Sequence, residues 1–347
     1  MTGELQNVRV PAVAGMFYPE RPEVLRTMVR QFLAQVPVGK GSPCAMIAPH
    51  AGYVYSGYTA ACAYRTLSVA QISSPRRVFV LAPSHRCRLV GVSVGNYRAY
   101  ATPLGEVSLD EEIIQRLLQQ ADVSRANAPH QQEHSLEVQL PFLQEVLGHF
   151  QLVPLVYGEI SHRRLAALVL ENMAADDLLV ASSDLSHFHP YEEAKKLDAN
   201  CHRAVLGLDA PAMNQNEACG RTAMAALLEI AKQRNWRPVL ADYRNSGDTA
   251  GDKQRVVGYA SYLFYSETLS KESTDFAGAS ASFEALPALL RTHLQGVLQG
   301  RGEGRGEGRG GLKPVELMAQ IAGLDRQGAC FITLTKNKQL RGCICFT

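Results

Sequence analysis

The chain has 347 residues, with 35 Lys and Arg against 33 Asp and Glu for a formal net charge of +2, and 46% of its residues are hydrophobic. That balance offers no basic stripe for nucleic acid, and no apolar run approaches the ~20 residues that a membrane span needs. Eight cysteines without a disulfide-like framework, and with no signal peptide ahead of them, lead us to expect a reducing cytoplasm.

From Val10 to about Phe264 the pattern alternates between helix-like and strand-like segments. The apolar spacing of Val24, Leu25, Met28, Phe32 and Leu33 predicts a helix from Glu23 to Val36. A short strand, Ala45 to Ile47, comes next, followed by a helix from Gly57 to Leu67 and a strand from Arg77 to Ala82. Helices are expected from Asp110 to Leu118 and from Ser135 to Leu147, then a strand from Val153 to Tyr157. A helix from Arg163 to Met173, a strand from Leu178 to Ala181 and helices from Ala194 to Leu206 and Thr222 to Lys232 continue the alternation. A strand from Val256 to Phe264 closes it. Strands alternating with helices of this length predict an α/β fold with a mostly parallel central sheet flanked by helices.

Composition changes near Tyr265. Residues 267–282 are small and polar, as linkers are. A helix-period stretch from Phe283 to Leu298 follows, then a Gly/Arg/Glu repeat over 301–311 that cannot form a packed core. Another helix-like piece, Pro314 to Ile321, leads to two strands, Cys330 to Leu334 and Leu340 to Phe346. The expected organisation is therefore a first domain over 1–266, a linker over 267–282 and a partial α+β segment over 283–347 that reads as the front of a second domain, cut short.

Three of the apolar runs share one shape: each ends at a small or turn-forming residue and delivers histidine. CAMIAPHAG presents His50, VFVLAPSHR presents His85, and LLVASSDLSHFH presents Asp184, His187 and His189. In open α/β sheets, ligands bind beyond the carboxyl ends of the strands, so the three runs point to a metal-binding or catalytic site. Asp184 either orients an imidazole or caps a helix, and His189, before Pro190, reads as a surface residue. Glu133, His134 and Glu137 form a further polar cluster, in which Ser135 reads as a helix cap and Glu137 as a first-turn acid. Gly52 and Gly57 would allow tight backbone near a metal, and Tyr53 and Tyr55 either wall a pocket or pack in the core. Ser246-Gly247-Asp248 reads as a loop cap or a pocket group. His130, His149, His162, His202 and His293 lack strand-end placement and read as surface or structural residues.

An ordered set of motifs resembles the MEMO family over some 250 residues. It comprises PAVAGMFYP (Pro11 to Pro19), APHAGYVYSG (Ala48 to Gly57), APSHR (Ala82 to Arg86), TPLGEV (Thr102 to Val107), EHSLEVQLPFLQ (Glu133 to Gln144), SSDLSHF (Ser182 to Phe188), CGRTA (Cys219 to Ala223) and NSGDTAGDKQRVVGYAS (Asn245 to Ser261). MEMO proteins are similar in fold to extradiol ring-cleaving dioxygenases, which use non-haem Fe(II). The tail, with GACFITLTKNKQLRGCI (Gly328 to Ile344), resembles the opening of an AMMECR-type domain, with Cys345 where that pattern has Gly. Fusions of the two belong to the AmmeMemoRadiSam system, which implies a radical-SAM protein as partner.

The resemblance implies His50, His85 and Cys219 as metal ligands. It places His187 as acid/base with Asp184 beside it, and His134 in substrate contact or proton transfer. The implied ion is Fe(II) or Cu in preference to Zn. Cys219 stands where the dioxygenase triad of two His and one carboxylate has its acid, a departure that favours softer ions. Its place before Gly220-Arg221 at a helix start leads us to expect a lowered thiol pKa. Two function classes follow: a metal-dependent, oxygen- or redox-active enzyme acting on a small molecule, or a non-catalytic metal- or peptide-binding partner protein. A closed structural zinc site fits less well with ligands that face a crevice.

Overall fold

The computed structural model describes residues 8–37, 41–69 and 76–266, together with two further strands within 330–346. The chain divides into two compact units, Met1–Glu272 and Ser273–Thr347.

The first unit is built on one sheet. In chain order its strands are β1 (Ala45–Ala48), β2 (Arg76–Pro83), β3 (Val92–Ser93), β6 (Val123–Ser124), β7 (Phe150–Tyr157), β8 (Leu178–Ser182), β9 (His187–His189), β10 (Trp236–Asn245) and β11 (Val256–Ser266). A small hairpin, β4 (Ala99–Thr102) and β5 (Gly105–Ser108), stands apart from them. The main path runs β10-β11-β1-β8-β2-β7-β3-β6, and β9 pairs with β11. The central run β1-β8-β2-β7 is wholly parallel, whereas β11, β10 and β3 join antiparallel. The sheet is mostly parallel, as the alternation of elements predicts.

Helices flank it: α1 (Pro22–Gln35), α2 (Tyr53–Tyr64), α3 (Glu111–Leu117), α4 (Ala128–Gln131), α5 (Leu140–Leu147), α6 (His162–Leu170), α7 (Tyr191–Leu206), α8 (Ala210–Gln215), α9 (Arg221–Gln233) and α10 (Ser246–Thr249). β1 and β8 are buried along their whole length and read as continuous apolar runs, as strands covered on both faces must. Helix α9 explains why CGRTA is followed by small apolar residues: Ala223, Ala225, Ala226 and Leu227 are buried on its inner face.

Strand β10 is absent from the sequence expectation. Pro238 interrupts its apolar pattern, and a proline is tolerated there because the strand lies at the sheet's edge, paired to β11 alone. The helix expected from Ser135 is instead a short 3-10 turn (Glu137–Gln139) running into α5, since Pro141 sets the first turn of the α-helix proper.

In the second unit, β12 (Cys330–Lys336) and β13 (Gln339–Phe346) form an antiparallel hairpin, with Ile332 opposite Ile344. The expected linker over 267–282, the helix-period stretch over 283–298, the Gly/Arg/Glu repeat over 301–311 and the segment over 314–321 lie outside the described residues. Among the described residues, no helix is long and apolar enough to cross a membrane.

Candidate metal centre

The sheet order gives the three strand-end motifs a common address. β8 lies between β1 and β2, with Ala48 level with Ser182 and Leu81 level with Ala181. The residues just past these ends, His50, His85 and Asp184, therefore leave adjacent parallel strands on the same side. His134 reaches the same place from the turn between α4 and α5.

Three imidazoles converge there. Ring centroids of His50, His85 and His134 lie 5.2 Å (50–85), 5.3 Å (50–134) and 4.9 Å (85–134) apart. One nitrogen of each lies within 4.8 Å of the others, a grouping that can hold a metal ion. His50 is buried, His134 half-buried and His85 exposed, so the cluster opens to solvent on the His85 side.

Hydrogen bonds determine which nitrogen of each ring faces the centre. The Ser182 hydroxyl donates to the Ser135 carbonyl at 2.6 Å. Its oxygen accepts from Gln139 Nε2 at 2.8 Å and, its proton being committed, from His50 Nδ1–H at 2.8 Å. His50 Nε2 is left as a lone-pair donor. Glu133 performs the same service for His85 and lies close to the His134 ring. Its buried carboxylate accepts the backbone N–H of His85 at 2.5 Å, those of His134 and Ser135 at 2.9 Å each, and His85 Nδ1–H at 3.0 Å, with His134 Nδ1 at 3.2 Å. A metal-binding histidine ordinarily gives its other N–H to such a carboxylate, which fixes the tautomer and raises its basicity.

The electrostatics agree with neutral rings at His50 and His134. Burial would raise Glu133, but the hydrogen bond and charge of His85 and the N–H groups of Ser135 and His85 outweigh it and hold the carboxyl down at about 2. Burial lowers His134 to about 4 against the pull of Glu133, and burial with the neighbouring His134 and His85 drives His50 well below its usual range. Behind them, Arg9 forms a buried ion pair with Glu137 and donates to the carbonyls of Glu133 (2.6 Å) and His130 (3.0 Å). Glu137 also accepts from the backbone of Ala12 and Val13 and from the Tyr18 hydroxyl. Glu137 stands in the first turn of the 3-10 helix, as expected, but its carboxylate is a buried anchor for the N-terminal segment, and Ser135 donates to Pro83 O instead of capping a helix.

Cys219 approaches from the far side. Its Sγ lies 3.1 Å from His50 Nε2 and accepts the Asp184 N–H at 3.2 Å, but it falls outside the group whose donors are all within 4.8 Å of one another. Gly220 makes the approach possible, because a Cβ there would meet the Ser182 carbonyl oxygen at 2.4 Å and Ser183 Cβ at 2.6 Å. The lowered thiol pKa expected from the helix start is not found. Burial, and then the Asp184 carboxylate, push the thiol up, outweighing the N–H groups of Asp184 and Gly220. Two acceptors lie within reach of its S–H, His50 Nε2 at 3.1 Å and the Asp184 carbonyl at 3.6 Å.

Asp184 caps no helix, since α7 begins only at Tyr191. Its Oδ1 accepts the His50 N–H at 2.8 Å, and burial raises its pKa to about 6. His187, half-buried in β9, lies near enough to perturb both Asp184 and His50. It is joined to Phe188, an exposed residue held at φ 62°. His189 binds the Glu217 carboxylate at 2.9 Å, away from the three rings. His130 is buried and structural, bonded to Tyr100 and Ser93. Tyr53 packs in the core and donates to Val138 O, whereas Tyr55 is exposed. Gly57 serves helix packing against Phe32 rather than the centre. Asp248 completes a capping box with Asn245. Sequence reading alone missed Ser182 and Gln139; the only visible signal was a Ser at the strand end that precedes Asp184.

Comparison with known proteins agrees with this picture. The family model described as Memo-like protein matches residues 9–263. The MEMO1 family protein Ta0237 of Thermoplasma acidophilum is 34% identical over 265 residues, covering 74% of this chain and 98% of its own. A MEMO1 family protein of Aquifex aeolicus is 36% identical over 272 residues, covering 74% and 99%. The crystal structure of the uncharacterized protein JW3007 from Escherichia coli K12 aligns with a TM-score of 0.40 at 13% identity, over 64% of this chain and 100% of that one, a likeness too low to carry an argument. With the family match covering residues 9–263 and every residue of the centre, the chain belongs to the Memo-like protein family.

Proposed function

We propose that His50, His85 and His134 hold a transition ion, Fe(II) or Cu in preference to Zn, in a dioxygenase-like pocket used for redox or oxygen-linked chemistry on a small molecule. The observation that supports this most is the tautomer control: Ser182 and Glu133 take the Nδ1 protons of His50 and His85, in a group of three rings whose donor nitrogens lie within 4.8 Å of one another. Imidazole suits Fe, Cu and Zn alike, and a bound ion would supply redox or Lewis-acid chemistry. The exposed side at His85 fits an open position better than a closed structural site. In this reading His187 exchanges protons with the substrate, and Asp184 holds the His50 backbone in place. Cys219 is a further candidate donor from the His50 side. The AMMECR-type tail and a radical-SAM partner suggest work within an assembly, which co-purification of the full chain with that partner tests.

A second reading is favoured by one contact. Because the Cys219 thiol already engages His50 Nε2, the cleft could serve as a non-catalytic metal- or peptide-binding surface. Metal analysis and absorbance of anaerobically purified protein separate the first reading from the peptide-binding form of the second. Stoichiometric iron or copper supports the first, and a folded protein without transition metal supports the second.

A further inference from the structure

A cavity of about 480 Å³ adjoins the candidate centre on its Cys219 side, walled by Pro83, Ser84, Tyr157, Cys219, Arg221 and Thr222. Two of these walls are extensions of the centre itself: Ser84 precedes His85, and Cys219 Sγ touches His50 Nε2.

On the wall of this opening arginines outnumber carboxylates, Arg88 and Arg221 against Glu159. The strand-end turn that carries His85 also carries Arg86 and Arg88, and Arg221 opens α9 across the cavity. Arg88 is compensated, pairing with Glu159 at 3.2 Å. Arg221 is exposed, and its side chain makes no hydrogen bond or ion pair among the described residues. Arg86 is exposed too, and its charge is felt at His134. Glu133 is buried and taken up by His85, His134 and Ser135, and Asp184, next to Cys219, is buried with its Oδ1 taken by the His50 N–H, so neither presents a free carboxylate at the rim. A cavity of metabolite size with an uncompensated guanidinium at its rim is suited to an anion, because a guanidinium pairs with planar carboxylate or with phosphate through two parallel N–H groups.

We infer that this cavity binds a small anionic molecule through Arg221, its carboxylate or phosphate at the rim and its body over Cys219 beside His50. The anion site rests on the cavity and its charges. Only the claim that the bound molecule is the substrate rests on the metal-centre reading.

The test is calorimetric titration of the full chain with benzoate, inorganic phosphate and the neutral isostere benzamide. Benzoate is expected to bind at least about tenfold more tightly than benzamide, Arg221→Gln to weaken it by about tenfold or more, and Arg221→Lys to retain part of the affinity. Arg116→Gln, on the exposed face of α3, should leave it unchanged. Phosphate bound in an Arg221-dependent way without benzoate also supports the site and assigns it to phosphate. Equal binding of benzoate and benzamide, indifference to Arg221→Gln, or no anion bound by about 10 mM overturns the inference. Co(II) uptake measured on the same preparations keeps the readings apart. Wild-type protein that binds the anion but takes up no metal would sink the metal-centre reading and leave this one standing.

Discussion

Ser182 Oγ accepts the Nδ1–H of His50 at 2.8 Å because its own proton is committed to the Ser135 carbonyl at 2.6 Å. One hydroxyl thereby links the end of β8, the turn carrying His134 and the imidazole after β1, and it turns the His50 lone pair toward the other two rings. Ser182→Ala should lower metal affinity by about 10- to 100-fold, as loss of such orienting partners does elsewhere. It also leaves Gln139 Nε2 and Ser135 O short of a partner, for about 1–3 kcal/mol of stability. Competition titration with a chelating dye and chemical denaturation measure the two effects. Unchanged metal affinity would show that the hydroxyl does not set the tautomer.

Glu133 serves two rings and three backbone N–H groups at once. Glu133→Gln keeps the shape but places an NH2 against donors, so it should cost more than Ser182→Ala in both stability and affinity. The same dye competition and denaturation measurements compare the two variants. A Glu133→Gln protein that loads metal like wild type would contradict the role assigned to the carboxylate.

Gly220 lies against β8 so closely that a methyl group cannot enter without displacing the Cys219 turn. Gly220→Ala should destabilise the fold by about 1–3 kcal/mol, move Sγ off His50 Nε2 and make Cys219 react faster with an alkylating agent. Reaction rates of Cys219 in the two proteins, followed by peptide mass, decide this; equal rates would mean the turn absorbs the methyl group.

Acid should weaken the metal-free protein in a defined order. His134 is lowered from 6.5 to about 4 and His130 from 6.5 to about 3, so below pH 6.5 the unfolded chain takes up protons that the folded one refuses, and stability falls. Glu133, lowered from 4.5 to about 2, adds a further loss as pH falls from 4.5 through 2. Asp184 works in the opposite sense: raised from 3.8 to about 6, it regains stability as pH falls through that interval. Because the lowered histidines, His50 and His202 among them, outnumber the one raised carboxyl, unfolding free energy should decline from pH 6.5 to 4.5, as urea denaturation at pH 7, 5.5 and 4.5 would show. A rise over that interval would contradict the neutral-histidine assignment.

Much of this site is legible in the chain itself because parallel strands are read as short apolar runs, and the residues past their ends share one edge of the sheet. His50, His85 and Asp184 follow from that rule alone. The rule does not give strand order, so nothing in the sequence says that β8 lies between β1 and β2, the arrangement that makes Ser182 a partner of His50. His134 and Cys219 arrive on turns rather than strand ends, and only the family resemblance brings them forward. Expecting a thiolate at Cys219 weighs the helix start and overlooks burial, which depends on Gly220 packing against β8. Strand β10 stays hidden because Pro238 breaks its pattern at an edge where the missing N–H costs nothing.

The central claim is that three imidazoles, His50, His85 and His134, form the metal centre. Co(II) stoichiometry and absorbance of anaerobically loaded wild-type, His134→Ala and Cys219→Ser proteins test it most directly. The account predicts one equivalent in wild type, loss of tight binding in His134→Ala, and binding retained in Cys219→Ser, with any thiolate-to-Co(II) charge-transfer band absent from that variant. Full, tight loading of His134→Ala beside an empty Cys219→Ser protein would contradict it.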